Sequence, residues 1–144
     1  MLETIKRLVR ERDICVLATV SGAMPHCSLM SYVSDADCRE IYMVTHRDTT
    51  KYNNLEQNPL VSLLIDTREG HTGASRQETL ALTVDGLYRP ITEEVQRTSV
   101  RAMLLERHPH LKVFLDQPDA VLLRIQITSF LLLDGLTDAY YEEL

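Results

Sequence analysis

The sequence predicts a mostly β protein with α insertions, built as a small antiparallel barrel of six strands. Three observations support this prediction. Short runs of apolar and β-branched residues alternate with polar turns, the first three runs follow one another with hairpin-like connections, and helical patterns occur only as interruptions. A strict alternation of strands and helices would instead indicate a parallel doubly wound sheet. The length of 144 residues predicts one domain over residues 1–144.

The composition argues against several classes of function. A net charge of -6 and a pI near 5.3 do not suit a surface that neutralises nucleic-acid phosphates. No apolar run approaches the ~20 residues of a membrane helix, so no membrane association is expected. The first 13 residues are charged and amphipathic and lack the core of a signal peptide, which predicts a cytoplasmic protein.

The first part of the chain predicts one helix and three strands. Leu2, Ile5, Leu8 and Val9 recur at helical spacing, which indicates an amphipathic helix over residues 2–12. The strands expected next are ICVLATV at 14–20, HCSLMSYV at 26–33 and IYMVTH at 41–46. The turn SGAMP joins the first two strands into a hairpin.

A second helix is predicted over residues 49–57. Asp48 is a suitable N-cap, and Asn58-Pro59 ends the helix because a residue before proline avoids the helical region. The strand LVSLLID follows. The polar segment 67–78 is then predicted as a loop, and a loop of about 12 residues is usually functional or disordered.

The last third of the chain predicts two strands and two helices. TLALTVDGLYRPI alternates as a half-buried strand does, and Thr92 caps a helix that runs to about residue 107. Pro109 begins a short helix with Leu111, Phe114 and Leu115 on one face, and Pro118 ends it. The segment AVLLRIQITSFLLLDG, residues 120–135, is a long final strand.

The motif THRDTTK points to an anion. Cations are mildly unfavourable at a helix N-terminus, yet Lys51 lies in the first turn beside Thr49 and Thr50. Backbone N–H groups, two hydroxyls and an ammonium there could form a phosphate socket, with Thr45 and His46 adding donors from the preceding strand. A solvated helix start is an equally open interpretation of the pattern alone.

Other chemistry is weakly indicated. The cysteines Cys15, Cys27 and Cys38 are odd in number and lack a CxxC spacing, and Cys15 and Cys27 are expected to be buried in strands. His108 and His110 are close in sequence but flank a proline at a helix boundary, so no metal site is predicted.

One segment resembles a known family. Residues 15–66 resemble the first half of the pyridoxamine 5'-phosphate oxidase-like, FMN-binding split-barrel family. They share a strand with LATV, a turn proline before His26, and a third strand that ends in threonine. The most specific part is KxxNLxxNPxV, here KYNNLEQNPLV at 51–61. Weaker similarity continues through LTVDGLYRPITEE at 82–94.

This resemblance implies a homodimer of six-stranded antiparallel split β-barrels with FMN at the subunit interface. The second strand would line the flavin ring with backbone groups of Cys27, Ser28, Leu29 and Met30. The phosphate would be held by Thr45, His46, Thr50 and Lys51, with Thr49 and Asn54 as supports. Arg76 and Gln77, in the polar segment 67–78, would contact the flavin of the partner chain.

The resemblance also implies an FMN-dependent oxidoreductase that acts on a small-molecule substrate or takes electrons from a donor such as a reduced nicotinamide cofactor. The chain has no tryptophan and ends in DGLTDAYYEEL, whereas the true oxidase has an aromatic, arginine-rich C-terminal segment, so pyridoxamine phosphate oxidation is not expected. Two alternatives stay open: a non-catalytic flavin carrier or sensor, and a split barrel that binds haem or a deazaflavin.

Overall fold

A computed structural model describes residues 1–144. The strands are β1 (Ile14–Ser21), β2 (Met24–Ser31), β3 (Val33–Ser34), β4 (Glu40–His46), β5 (Leu60–Asp66), β6 (Leu80–Tyr88), β7 (Ala120–Asp134) and β8 (Asp138–Glu143). The helices are α1 (Leu2–Glu11), α2 (Thr50–Gln57), α3 (Glu94–Arg107) and α4 (Lys112–Leu115), with short 3-10 turns at Arg68–Gly70, Gly73–Glu78 and Pro109–Leu111. None of the helices has the length and apolar character needed to span a membrane.

The strands form one curled antiparallel sheet in the order β2-β1-β5-β6-β7-β4-β3, and β8 adds to β7. The curl brings β2 beside β4, although these strands exchange no ladder hydrogen bonds. The sheet is therefore a barrel that stays open along one seam. The predicted mostly β, antiparallel split barrel is confirmed, with eight strands in place of the six that were expected.

The longest strand, β7, organises the curvature. Its first half pairs with β4, and its second half lies between β6 and β8. The register shifts where Asp85 faces Ser129 while Gly86 faces Ile127, so Thr128 is the extra residue of a bulge. A bulge bends the strand and increases its twist. This bend accompanies the change of partners along β7.

The sequence predicted a single strand over residues 26–33, and this prediction is wrong. The chain leaves β2 after Ser31 and joins β4 as β3, starting at Val33, so the segment contributes to both open edges of the barrel. Between them the Tyr32 side chain is fully buried, and its hydroxyl donates a 2.7 Å hydrogen bond to the carbonyl oxygen of Val9. Tyr32 thereby fastens α1 across one end of the seam.

The core has two layers that meet at β4. Ile41 and Met43 face the main core inside the barrel, whereas Tyr42 and Val44 pack outside it against α3 and α4. Side chains of a strand alternate between the two faces of its sheet. Burial of both faces explains why the predicted third strand is an uninterrupted apolar run, and it places helices directly behind the end of β4.

Several predicted boundaries need correction. Thr92 does not cap α3, because the helix starts at Glu94 with Glu93 at the N-cap position and no side-chain cap bond. The short helix ends at Leu115, before Pro118. The segment 67–78 contains two 3-10 turns. The acidic strand β8 was missed because its alternation is weak next to the apolar run before it.

The bulge generates a stability prediction. A Cβ atom at Gly86 would lie 2.6 Å from the carbonyl oxygen of Gln126 and 2.7 Å from Cγ2 of Ile125. Gly86→Ala is therefore expected to lower the free energy of unfolding by about 1–3 kcal/mol through overpacking, measured by urea denaturation. Gly70→Ala is the matched control, since a Cβ there meets nothing within 4 Å. Equal stability of the two variants would contradict this packing.

Candidate functional site

The start of α2 is held by Thr49. Its hydroxyl donates to the carbonyl oxygen of His46 at 2.9 Å and accepts from the backbone N–H of Tyr52 at 3.2 Å. Thr49 is thus the N-cap, and the prediction that Asp48 caps the helix is wrong. An N-cap side chain must reach the third helical residue, and Asp48 lies one position too early to do so. Asp48 is instead exposed.

Lys51 lies in the first turn of α2 and lines a cavity of ≈ 260 Å³. Its side chain is half-buried and takes part in none of the ion pairs of the protein. Thr45, at the end of β4, lines the same cavity, and its hydroxyl lies 3.4 Å from that of Thr49. This end of the cavity is polar and positively charged, as an anion requires.

The remainder of the cavity is largely apolar. Leu29 and Met30 reach it from β2, and Leu111 and Phe114 close it from the segment that contains α4. The cavity lies at the seam of the barrel, because β2 and β4 supply facing walls. A site with a charged end and an apolar end suits a ligand of the same character. We call it the seam cavity.

The structure brings together four of the residues that the sequence predicted for the cofactor: Leu29, Met30, Thr45 and Lys51. Met30 is buried, Leu29 is exposed at 74%, and Cys27 is exposed, which corrects the expectation that Cys27 is buried. Pro25, Cys27 and Leu29 lie on one face of β2 and are all exposed, so that face is uncovered. The edge of β2 is also open, because β2 pairs only with β1. Unpaired backbone donors and acceptors of an edge strand can bind a ligand.

The other β2 residue, Ser28, is half-buried, and its hydroxyl lies 3.3 Å from Nε2 of His26. Neither side chain lines the seam cavity. The predicted role of Ser28 concerned its backbone, and it stays a prediction.

His46 supports the cavity wall without lining it. Its ring stacks on that of Phe114, with centroids 4.0 Å apart and planes inclined by 13°. Nδ1 lies 3.7 Å from a carboxylate oxygen of Asp119, while Nε2 is buried without a hydrogen-bond partner. A contact between His46 and a cofactor stays a prediction. The stacking itself shows that His46 positions Phe114.

Asn54 and Thr50 differ in their surroundings. Asn54 is 5% exposed, and its amide nitrogen donates a 3.1 Å hydrogen bond to the hydroxyl of Thr19. This contact joins α2 to β1 and accounts for a buried asparagine on an otherwise polar helix. Thr50 is exposed in the first turn, and its hydroxyl makes no hydrogen bond in the protein. Thr50 therefore remains free to bind an anion.

Arg76 and Gln77 are exposed on the turn Gly73–Glu78 and do not line the seam cavity of their own chain. The expected contact was with the cofactor of a partner chain, and it stays a prediction.

Sequence reasoning missed Leu111 and Phe114 as residues of the site. The sequence did show that Leu111 and Phe114 share one apolar face. It did not show which strand of the sheet that face packs against.

The chain is similar to known proteins in sequence and in fold. A model of the family described as pyridoxamine 5'-phosphate oxidase matches residues 1–134. No curated protein matches the chain.

Solved structures share the fold at low identity. The heme storage protein HutZ from Vibrio cholerae is 22% identical with a TM-score of 0.73, over 96% of this chain and 92% of that chain. A FAD-binding protein from Mesorhizobium loti is 17% identical with a TM-score of 0.72, over 99% and 95%. General Stress Protein 26 from Bacillus anthracis is 21% identical with a TM-score of 0.69, over 99% and 97%.

The N-cap assignment can be tested by mutation. Thr49→Ala removes the side-chain cap of α2 and is expected to lower the free energy of unfolding by about 1 kcal/mol in urea denaturation. Thr50→Ala is the control, because Thr50 is exposed and caps nothing. If Asp48→Ala destabilised the protein as much as Thr49→Ala does, the assignment would fail.

Proposed function

The chain belongs to the pyridoxamine 5'-phosphate oxidase family, and from this premise we propose that it is an FMN-binding oxidoreductase. The seam cavity carries the proposal. Residues expected to hold two ends of one flavin come from β2, β4 and α2, and Leu29, Met30, Thr45 and Lys51 all line this single cavity. The positive charge of Lys51 suits the FMN phosphate, and the free backbone groups at the open edge of β2 suit the polar edge of the flavin ring.

The phosphate would bind at the start of α2. An FMN phosphate has close to two negative charges, and the Lys51 ammonium has no competing carboxylate in an ion pair. Charge-assisted hydrogen bonds are roughly twice as strong as neutral ones. The Thr50 hydroxyl and the free N–H groups of the first turn add donors. These groups bind the cofactor and take no part in electron transfer.

The ring would lie against Leu29, Met30 and Phe114, with its polar edge toward the open backbone of β2. Bound FMN supplies the redox chemistry by accepting and donating electrons. The apolar wall excludes water from one side of the ring, and the seam leaves space for a small-molecule substrate or a donor such as a reduced nicotinamide cofactor. We expect this activity in the cytoplasm and do not expect pyridoxamine phosphate oxidation.

A second copy of the chain would complete the site. The seam cavity measures ≈ 260 Å³, whereas pockets for ligands of this size usually exceed about 300 Å³. Leu29 and Met24 of β2 are 74% and 71% exposed beside the open edge, and such apolar side chains suit a protein interface. In a homodimer built on β2, the partner chain would add the missing wall, with Arg76 and Gln77 in reach of the ring.

The alternatives differ in what they require of the seam cavity. A flavin carrier or sensor would use the same contacts without turnover. Haem or a deazaflavin would use the same space, and the structural relative HutZ is described as a heme storage protein. Met30 is the one side chain of the cavity lining that could coordinate iron, since histidine and cysteine are missing there. FMN therefore fits the lining better than haem.

Opposite charge changes at the start of α2 provide a test. Lys51→Met is expected to weaken FMN binding at least about tenfold, because it removes a charge-assisted hydrogen bond. Asp48→Asn should tighten FMN binding about two- to fivefold, because it removes a negative charge that repels the phosphate at the helix start. Both are measured by titrating flavin-free protein with FMN and following flavin fluorescence, with Lys6→Met on α1 as the control.

The proposal fails if wild-type protein takes up no FMN or if Lys51→Met binds it as tightly as wild type. The absorption spectrum of freshly purified protein separates the cofactors, since flavin, deazaflavin and haem have different bands. Oxidation of a reduced nicotinamide cofactor with added acceptors then separates an oxidoreductase from a carrier.

The oligomeric state is a further expectation. Sedimentation velocity at micromolar concentration should show a dimer, and Met24→Asp should shift it toward monomer by adding charge to the exposed β2 surface. The same variant should bind FMN more weakly, because a monomer lacks the second wall. Val95→Asp on exposed α3 is the control. A wild-type monomer that binds FMN tightly would contradict the shared site.

A further inference from the structure

A second cavity, of ≈ 590 Å³, lies behind β4, between the ends of β4 and β6, the start of β7 and the first half of α3. Its floor is apolar and includes Val44, Ile91, Leu115 and Leu122. This volume is within the ~300–1,000 Å³ of small-molecule sites. We call it the α3 cavity.

The α3 cavity is separate from the seam cavity. Val44 lines both, and two successive residues of α4 face different spaces, since Phe114 lines the seam cavity and Leu115 lines the α3 cavity. The end of β4 and α4 thus form the partition between them. The groups assigned to FMN, such as Lys51 and Thr45, do not line the α3 cavity.

Three arginine side chains line the α3 cavity. Arg97 pairs with Glu94 at 2.7 Å and donates to the carbonyl oxygen of Ile91 at 3.2 Å. Arg47 also lines the cavity but takes part in no ion pair.

Arg101 is likewise occupied, since it pairs with Asp116 and donates to the carbonyl oxygen of Leu115 at 3.0 Å. Arg47 is therefore the one arginine of the lining that no carboxylate pairs with, although its guanidinium lies within hydrogen-bonding reach of the Tyr52 hydroxyl. Its charge is local, in a chain whose net charge is -6.

Tyr88 provides an independent observation. It is 5% exposed and lines the α3 cavity, and its hydroxyl makes none of the side-chain hydrogen bonds of the protein yet is not among the fully buried polar atoms without a partner. The hydroxyl of this mostly buried side chain is therefore accessible from the cavity, where it can bond to a ligand. Burial, together with the nearby Tyr52 and Glu56 side chains, raises the pKa of Tyr88 to about 12, and Arg47 opposes the rise. The hydroxyl therefore stays protonated and can donate to an anion.

The walls of the α3 cavity are held in place. Arg124 donates to the carbonyl oxygens of Arg89 and Pro90 at 3.1 and 3.0 Å and to the amide oxygen of Gln96 at 2.9 Å. These bonds fasten the connection between β6 and α3 to β7. A site that is formed before binding costs less ordering entropy when a ligand enters.

From these observations we propose that the α3 cavity binds a small amphipathic anion, with an apolar body on the floor and a carboxylate or phosphate between Arg47 and Tyr88. The apolar floor accounts for the body of the ligand, and the two donors account for its charge. This site is distinct from the proposed FMN site, and both can be occupied together.

The test uses probes of defined charge. 2-Naphthoate and 1-naphthyl phosphate are titrated into protein with and without saturating FMN, beside the neutral 2-naphthalenemethanol, while methyl NMR signals of Ile91, Leu115 and Leu122 are followed. At least one anion should shift these signals and bind about tenfold more tightly than the neutral analogue. Comparison of the two anions shows which acidic group the site prefers.

Variants then test the two donors. Arg47→Met should weaken anion binding about tenfold, and Tyr88→Phe about threefold, with little effect on the neutral analogue. Arg7→Met on α1 is the matched control, because Arg7 is exposed and unpaired. Urea denaturation checks that each variant is folded.

Four results would overturn the proposal: no anion shifts the three methyl signals, the neutral analogue binds equally well, Arg47→Met binds as wild type does, or FMN competes with the probe. Competition would assign the α3 cavity to the cofactor site. Failure of FMN binding alone leaves this proposal intact, since the probes are also titrated without FMN.

Discussion

The arrangement of the whole molecule depends on two strands that lie side by side without hydrogen bonding to each other. β2 and β4 lie side by side at the seam, yet β2 pairs only with β1, and β4 pairs with β3 and β7. If the two strands formed a ladder, the open backbone edge of β2 would be used in pairing and could not bind a ligand. The bulge in β7 adds bend and twist to the sheet, and the buried Tyr32 joins the end of β2 to α1.

The double burial of β4 determines what lies around the seam. One face of β4 belongs to the barrel core and the other to the layer of α3 and α4. A strand with helices behind its end can have a cavity on each side, and α4 separates the two here. The same small helix positions Phe114 against His46 and Leu115 behind Val44. Changes in α4 would therefore affect both cavities.

Local pattern was sufficient for much of the fold and for half of the site. Helix α1, the first hairpin and the turn after β4 follow from residues that are neighbours in sequence. Lys51 and Thr45 line one cavity, because a helix start after a strand brings nearby residues together, and their binding role stays a prediction. The sequence did not distinguish Asp48 from Thr49 as the N-cap, because both residue types are good caps. Thr49 has this role because its side chain is the one that reaches the N–H of Tyr52.

The sequence by itself determined the antiparallel strands, the helix at residue 50 and the family, because periodicity and short motifs depend on near neighbours. Only the tertiary structure decided that the segment 26–33 serves both edges, that Leu111 and Phe114 close the seam cavity, and that Arg47 and Tyr88 share a second one. These relations join residues far apart in sequence. They arise from the curl of the sheet and from the face on which each helix packs, which no local pattern encodes.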